Sequence, residues 1–300
     1  MSETPAISVI IPTLNRAEAL RQVLDYFLHR ETFRDFELIL IDQSSEYNSE
    51  PERLAAGTGI PLRYVHADFR QTTRARNLGV SLARAEIIVF SEDDVEPWPG
   101  LLQTYWQFFQ NSDHVAATGP VLLPGQSFRK REELGELELE RVLRLRSMAF
   151  DLDFAFDAQF GAGGNSAYRR LTIQQAGGFD EGFVGNAWGE EYEFGFRVRQ
   201  RSGPIQYLPA AGVIHYALAT GGSRIAPRAE YIRDFVANTL YATERAQMDR
   251  VEYPALLWHT FRRLVLNRSN LLRMHLIGPL CAFLRGIFAG LHAIRHNPRL

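Results

Sequence analysis

The sequence has a single cysteine, Cys281, among 300 residues. One thiol excludes an internal disulfide framework and any cysteine-rich zinc site. Net charge is equally scarce. The 33 basic and 35 acidic side chains leave −2, without the cation surplus that a phosphate-neutralising nucleic-acid binder needs, so no nucleic-acid partner is expected. No basic segment leads into a long apolar run before Pro12, and the expectation is a cytoplasmic protein without a secretory leader. Membrane spans are not expected either, because Arg273, His275 and Arg285 break the C-terminal apolar stretch below the roughly 18 residues that a span requires. There is no internal repeat, no low-complexity tract and no Gly-x-Gly-x-x-Gly spacing after a strand.

One absence is local. From Phe261 to Leu300 there are seven arginines and no aspartate or glutamate, so this segment carries +7 and the remainder −9. The split points to an acidic body that holds the chemistry and a basic tail that meets a surface. Three helical stripes occupy the C-terminal part: Ile232, Phe235, Val236 and Leu240; then Leu257, Phe261, Leu264 and Val265; then Leu280, Phe283, Leu284, Ile287, Phe288, Leu291 and Ile294. Arginines beside such stripes suit peripheral contact with an anionic bilayer, at the inner face of the cell membrane. Packing on the body, or a contact between copies, is the plainer reading of the same stripes.

The first half alternates short apolar runs with helical spacing. Ile7–Ile11 is a β-branched run stopped by Pro12. Leu38–Ile41 ends at Asp42, Leu62–Val65 is a weaker run, and Ile87–Phe90 leads into Glu92, Asp93 and Asp94. Helices are predicted around Leu20–Leu28 and over Thr72–Ala83. Strand, helix, strand in succession implies right-handed crossovers and a mainly parallel sheet, whose ligands sit beyond the carboxyl ends of the strands. Three polar segments, Pro12–Arg16, Asp42–Ser45 and Glu92–Glu96, fall at those ends. Further on, Glu132–Arg146 reads as a charged surface helix or insertion. Gly161–Asn165 reads as a tight loop, and Gly185–Gly203 fits a strand by alternation and a helix by spacing equally well.

Adjacent carboxylates repel, so Glu92-Asp93-Asp94 directly after a strand asks for a cation or for solvent. A hard divalent ion with phosphate oxygens in its other positions is one answer, and a solvated acidic loop is the other. Asp42 fits a contact to a base or ribose, or a loop cap. Arg74, Arg76 and Asn77 suit a diphosphate at a helix start, with Thr72 and Thr73 as caps. Glu190 and Glu191 follow Trp188-Gly189, and a carboxylate in partly apolar surroundings is able to act as a general base. His215, after Val213-Ile214, is on its own an ordinary structural histidine.

The order of these segments is more telling than any one of them. Ser8-Val-Ile-Ile-Pro-Thr-Leu-Asn-Arg16, Leu38–Ser45, Thr73–Gly79, Val89–Gly100, Gly164–Arg169, Gly177–Glu181, Gly189–Phe194 and Val213–His215 together resemble a family 2 glycosyltransferase of the GT-A fold, over roughly residues 6–220. The resemblance implies an α/β nucleotide-diphospho-sugar transferase fold, with a mainly parallel central sheet flanked by helices and a C-terminal helical extension. The expected division is a catalytic domain over 1–225 and a basic helical region over 226–300.

It also implies a chemistry. Thr13, Asn15, Arg16 and Asp42 would hold the nucleotide, with Arg74, Asn77 and Asp93 nearby. Asp94 and His215 would hold Mg²⁺ or Mn²⁺, and Gly164, Asn165 and Trp188 would line the sugar and acceptor pocket. The acceptor-side motif of the family usually reads Glu-Asp, and here it is Glu190-Glu191. Glu191 is then the expected base and Glu190 the alternate. Asp42 likewise stands in Asp-Gln-Ser-Ser rather than the more usual Asp-Asp-Gly-Ser, a departure that bears on nucleotide preference. The implied activity is inverting transfer from a nucleotide-diphosphate sugar to a hydroxyl of a saccharide or lipid-linked acceptor, in cell-surface polysaccharide or glycolipid synthesis. A non-catalytic sugar-nucleotide-binding subunit of a polysaccharide assembly is the alternative. A nucleotidyltransferase is disfavoured, since Pro12-Thr13-Leu14-Asn15 is not a glycine-rich phosphate loop.

Overall fold

A computed structural model describes residues 4–136, 150–222, 227–247, 253–272 and 275–297. Its strands are β1 (Ile7–Thr13), β2 (Phe36–Asp42), β3 (Leu62–His66), β4 (Ile87–Ser91), β5 (Val95–Pro97), β6 (Ala116–Thr118), β7 (Val121–Leu122), β8 (Phe156–Ala158), β9 (Asn165–Arg169), β10 (Ile205–Tyr207) and β11 (Val213–His215). Its α-helices, in chain order, are α1 (Ala17–Asp25), α2 (Glu50–Ala55), α3 (Thr72–Leu82), α4 (Leu101–Gln110), α5 (Arg170–Ala176), α6 (Glu190–Arg201), α7 (Arg228–Arg245), α8 (Tyr253–Leu264), α9 (Arg268–Leu272) and α10 (Ile277–His296). The charged stretch expected over Glu132–Arg146 begins in a single 3-10 turn, Arg131–Glu133, and from residue 137 lies outside the described residues.

An eight-stranded sheet in the order β3-β2-β1-β4-β9-β6-β10-β8 forms the centre. Strands β1, β2, β3 and β4 are mutually parallel, so Thr13, Asp42 and Ser91 all end on one rim. Both β1 and β2 are buried on both faces, as β-branched runs between two helical layers must be. Strand β9 departs from the parallel pattern. It runs antiparallel to both β4 and β6, pairing Ser91 with Asn165. Its incoming loop, Gly161–Gly164, is thereby delivered to the rim where β4 ends. A second sheet, β5-β11-β7, pairs Val95 with His215 and brings the histidine to the same rim.

Gly185–Gly203 resolves into helix α6, preceded by Gly189 in the left-handed region at φ +89°. Glutamates 190, 191 and 193 fill the first turn and Arg199 and Arg201 the last, which complements the helix dipole. Phe194 and Val198 share the buried face, Phe194 stacking on Phe179 at 4.1 Å. On that face Glu193 and Arg197 pair at 2.7 Å, four residues apart. Helical spacing wins over alternation because this i, i+4 pair closes only in a helix.

The C-terminal helices pack on the body. From α7, Tyr241 donates to Asp180 at 3.0 Å, Asn238 donates to the Val184 carbonyl at 2.7 Å, and Phe235 stacks on Trp188 at 4.8 Å. The expectation that no segment reaches membrane-spanning length is corrected: α10 starts beyond His275 and carries only Arg285 and Arg295. Its 20 residues have mean hydropathy 1.5 over an 18-residue window, long and apolar enough to cross a membrane by length and composition alone.

Candidate active site

Three strand ends, the Gly185–Gly189 segment and the start of α6 surround a cleft of about 310 Å³, with Gly163 and Gly164 of the β9 loop packed behind Glu191 and Glu92 of its lining. Five carboxylates (Glu92, Asp93, Asp94, Glu190, Glu191) and three arginines (Arg16, Arg70, Arg76) line it. Two charged groups organise the cleft, one on each side.

On the sheet side, Glu92, Asp94 and His215 each offer one donor atom, and the three atoms lie within 4.8 Å of one another. His215 Nε2 is 3.3 Å from Asp94 Oδ1 and 3.4 Å from Glu92 Oε2. Asp94 Oδ1 is buried without a hydrogen-bond partner. Two carboxylate oxygens, one of them unsatisfied, with an imidazole nitrogen form a donor set that suits Mg²⁺ or Mn²⁺. Burial alone would raise the Asp94 pKa, but the imidazole of His215 beside it, together with the charge of Arg16, holds it below the usual value. Asp93 points elsewhere: it accepts from Thr13 Oγ1 at 2.6 Å and from Arg16 Nη1 at 2.9 Å. Burial is the main cause that lifts its pKa to about 6.

Arg16 ties this group to the loop after β11. Its Nη1 also lies 3.0 Å from Asp94, while Nε and Nη2 donate to the carbonyls of Thr220 and Leu218. Glycines 221 and 222, both at positive φ, press against its side chain, where a Cβ on either would meet it.

On the helix side the organising group is Arg76, fully buried among Glu190, Glu191 and Glu92. Its Nη1 pairs with Glu190, and its Nη2 is 3.9 Å from both Glu191 and Glu92. Burial opposes its charge, and the three carboxylates overcome that, so its pKa is raised. Glu191 Oε1 accepts the Gly163 N–H at 2.7 Å, and a Cβ on Gly163 would overlap both Glu191 and Arg76. Gly164 packs on Glu92 in the same way, with a hypothetical Cβ 3.2 Å away. Burial, then the neighbouring charge of Glu190, push the Glu191 carboxyl up to about 8. A carboxylate so tuned takes up a proton readily near neutral pH.

Of the residues singled out by sequence, Thr13, Arg16, Asp93, Asp94, Trp188, Glu190, Glu191 and His215 line this cleft. Others lie elsewhere. Arg74 is exposed and stacks over Phe69 at 4.2 Å, half a helical turn away from Arg76. Asn77 clamps the 177–181 turn, donating to the Phe179 carbonyl at 2.9 Å and to Glu181 at 2.8 Å. Asn165 is buried, with its amide held by Tyr105, Pro120 and Ala211 at 2.7–2.9 Å. Asn15, at φ 54°, holds Ser44 and Ser45. Asp42 is buried and accepts from the Ser44 N–H at 2.9 Å and the Tyr64 hydroxyl at 2.8 Å. Thr72 does line the cleft, from the first turn of α3, and Thr73 beside it is buried; the N-cap of α3 is Gln71, without a side-chain cap. Two groups stand at the centre in roles the sequence did not assign: Glu92, read there only as part of an acidic run, and Arg76, read there as a diphosphate contact.

The sequence model of the glycosyl transferase family 2 matches residues 8–175. The chain belongs to this family. Among curated relatives it is similar to the chondroitin synthase of Escherichia coli (28% identical over 70% of this chain and 34% of that one). It is also similar to the hyaluronan synthase of Pasteurella multocida (26% identical over 64% of this chain and 22% of that one). It thus spans about a third or less of the length of these two relatives. A Campylobacter jejuni enzyme named GalNAc(5)-diNAcBac-PP-undecaprenol β-1,3-glucosyltransferase is 25% identical over 61% of this chain and 57% of its own length. Among solved structures, the mannosyltransferase PcManGT of Pyrobaculum calidifontis, in complex with GDP-Man and Mn²⁺, has a TM-score of 0.58 at 18% identity, covering 99% of this chain and 77% of that one. Residues 1–349 of S. aureus TarS, in complex with UDP-GlcNAc, give 0.61 at 13% identity, covering 96% and 81%. At such identities the likeness shows the fold, and it is the GT-A fold.

Proposed function

We propose that this family 2 glycosyltransferase is inverting and metal-dependent, and that it moves a sugar from a nucleotide-diphosphate sugar to an acceptor hydroxyl in cell-surface polysaccharide or glycolipid synthesis. One observation carries the reading: a single cleft sets the Glu92/Asp94/His215 donor group opposite Glu191, with Arg76 buried between them. Residues 1–225 would be the catalytic unit, and 226–300 a helical region seated on it.

Glu92, Asp94 and His215 would hold Mg²⁺ or Mn²⁺, which when bound neutralises the charge of the departing nucleoside diphosphate. The chain supplies the rest. Thr13 and Arg16 orient Asp93 away from the donor group, leaving the unsatisfied oxygen of Asp94 for it. Glu191, fixed by the Gly163 N–H, receives the proton of the acceptor hydroxyl as that oxygen bonds to the anomeric carbon. The carbon–oxygen bond to the diphosphate breaks on the opposite face, so the configuration inverts without a covalent enzyme intermediate. Trp188, just before the catalytic helix, walls the acceptor side.

The saccharide acceptors implied in the names of the chondroitin, hyaluronan and undecaprenol-linked enzymes support a polysaccharide or lipid-linked acceptor here. The test is Glu191→Gln. It should retain Mn²⁺-dependent binding of one nucleotide among UDP, GDP and dTDP, measured by calorimetry, while transfer falls about 100-fold or more. Transfer at the wild-type rate would remove Glu191 from the role. Nucleotide binding without transfer by the wild-type chain to any saccharide or lipid-linked acceptor would leave only a binding subunit.

A further inference from the structure

Helix α10 carries five large apolar side chains on its outward face: Ile277, Leu280, Leu284, Phe288 and Leu291, between 39% and 80% exposed. Spacings of three and four residues line them into one stripe along the helix. The other side is seated on α7 through Ala282, Phe283, Gly286 and Gly290. The approach is close, since a Cβ at Gly286 would lie 2.6 Å from the Arg233 carbonyl oxygen and one at Gly290 3.0 Å from that of Ala237. This seating lays α10 along the body, so a helix long enough to cross a membrane presents its length sideways instead.

Charge surrounds the stripe. Arg285 is exposed beside it, and Arg295 continues it four residues after Leu291. On α8, Trp258 is 57% exposed and stacks on Phe261, which meets Phe283 of α10 edge-on at 5.2 Å. Arg262 and Arg263 next to it are exposed, and no carboxylate side chain occurs anywhere from Phe261 to Leu300.

We infer that this face docks on an anionic phospholipid leaflet, with α10 in the headgroup plane, its apolar stripe among the acyl chains and the arginines on lipid phosphates. Charge decides the occupant. A second copy laid face to face would set Arg285 and Arg295 against arginine-rich surface with no acid to answer them, whereas anionic lipid supplies a counter-charge for each. The inference rests on surface composition and stands apart from the transferase reading. Its use within that reading is direct: α7 seats α10 and also, through Tyr241, Asn238 and Phe235, the 180–188 segment that leads into Glu190 and Glu191. A leaflet under α10 is therefore one helix away from the acceptor wall.

The test is sedimentation of the full chain with vesicles of pure phosphatidylcholine, or with about 30 mol% phosphatidylglycerol. Binding should be at least about tenfold tighter with phosphatidylglycerol, and about 0.5 M salt should erase most of the difference. The double variant Leu284→Glu with Phe288→Glu changes only exposed positions. It should lose vesicle binding about tenfold or more while its melting temperature and nucleotide binding stay unchanged. Arg285→Ala with Arg295→Ala should lose most of the preference for the anionic vesicle. Equal pelleting with both vesicles, or wild-type pelleting of the double glutamate variant, would overturn the inference. So would a dimer by light scattering that this variant disperses, combined with no pelleting on lipid, because the face would then belong to a second copy.

Discussion

The raised carboxyl of Glu191 makes the pH dependence of transfer the sharpest test of the site. Burial pushes this group up and the charge of Glu190 adds to it, bringing the pKa to about 8. A base must be deprotonated to act, so activity rises with pH through that value. With a midpoint at about 8, only about a tenth of the free enzyme has the base ionised at pH 7, so kcat/KM for the donor should rise about fivefold from pH 7 to 8 and about twofold beyond. Glu190→Gln removes a neighbouring negative charge and frees Arg76 to act on Glu191. Both changes favour the ionised form of Glu191. The variant's midpoint should then fall below that of wild type, and its kcat/KM at pH 7 should exceed wild type severalfold. The assay is single-turnover and steady-state transfer across pH 6 to 9, with each variant's melting temperature as the folding control. A flat wild-type profile, an alkaline shift in Glu190→Gln, or near-complete loss of transfer in that variant would refute the reasoning. The last outcome would make Glu190 the base.

Three further outcomes follow from the same geometry. Asp94→Asn removes a charge from the donor group and should weaken Mn²⁺-dependent nucleotide binding about tenfold or more by calorimetry, with binding in EDTA little changed. Gly163→Ala places a methyl where Glu191 Oε1 and Arg76 now sit; kcat should fall at least about tenfold while nucleotide affinity stays within about twofold, as steady-state kinetics and titration would show. Arg76→Met leaves Glu190 and its neighbours buried without their cation, a loss of about 3–5 kcal/mol in denaturant unfolding, whereas exposed Arg74→Ala should stay within about 0.5 kcal/mol.

Much of the sheet was legible because its strands are continuous apolar runs. Ile7–Ile11, Leu38–Ile41 and Ile87–Phe90 admit little else between a proline, an aspartate and an acidic turn, and each forms a strand whose polar end reaches the rim. The antiparallel entry of β9 was not legible. Asn165–Arg169 is short and polar, and its pairing with Ser91 is set by tertiary contacts such as the buried Asn165 amide. The Arg74 and Arg76 outcome turned on helical phase. Thr73, Arg76 and Gly79 fall on one face of α3, and Gly79 packs tightly on Ile10 of β1. Reading that phase from the glycine would have turned Arg76 inward and Arg74 outward. Asn77 and Asn165 each carry an amide satisfied by backbone far away in sequence, 102 residues for Asn77 and 45 or 46 for Asn165, and no local pattern distinguishes such a clamp from a ligand contact.

Glu92 shows why the two halves of the cleft act together. It contributes an oxygen to the group with Asp94 and His215, and it also lies 3.9 Å from Arg76. Its negative charge is among the causes that raise the Glu191 pKa. Positive charge arriving at Glu92 opposes that contribution and leaves Arg76 more fully committed to Glu190 and Glu191, so Glu191 should ionise more readily when a cation is held there. Linkage makes the effect reciprocal: ionising Glu191 must favour binding of that positive charge by the same factor. The midpoint of the transfer profile should therefore fall as Mn²⁺ is raised from limiting to saturating. A buried arginine shared by three carboxylates gives this coupling a short physical path, and neither carboxylate group would have it if Arg76 faced solvent as Arg74 does.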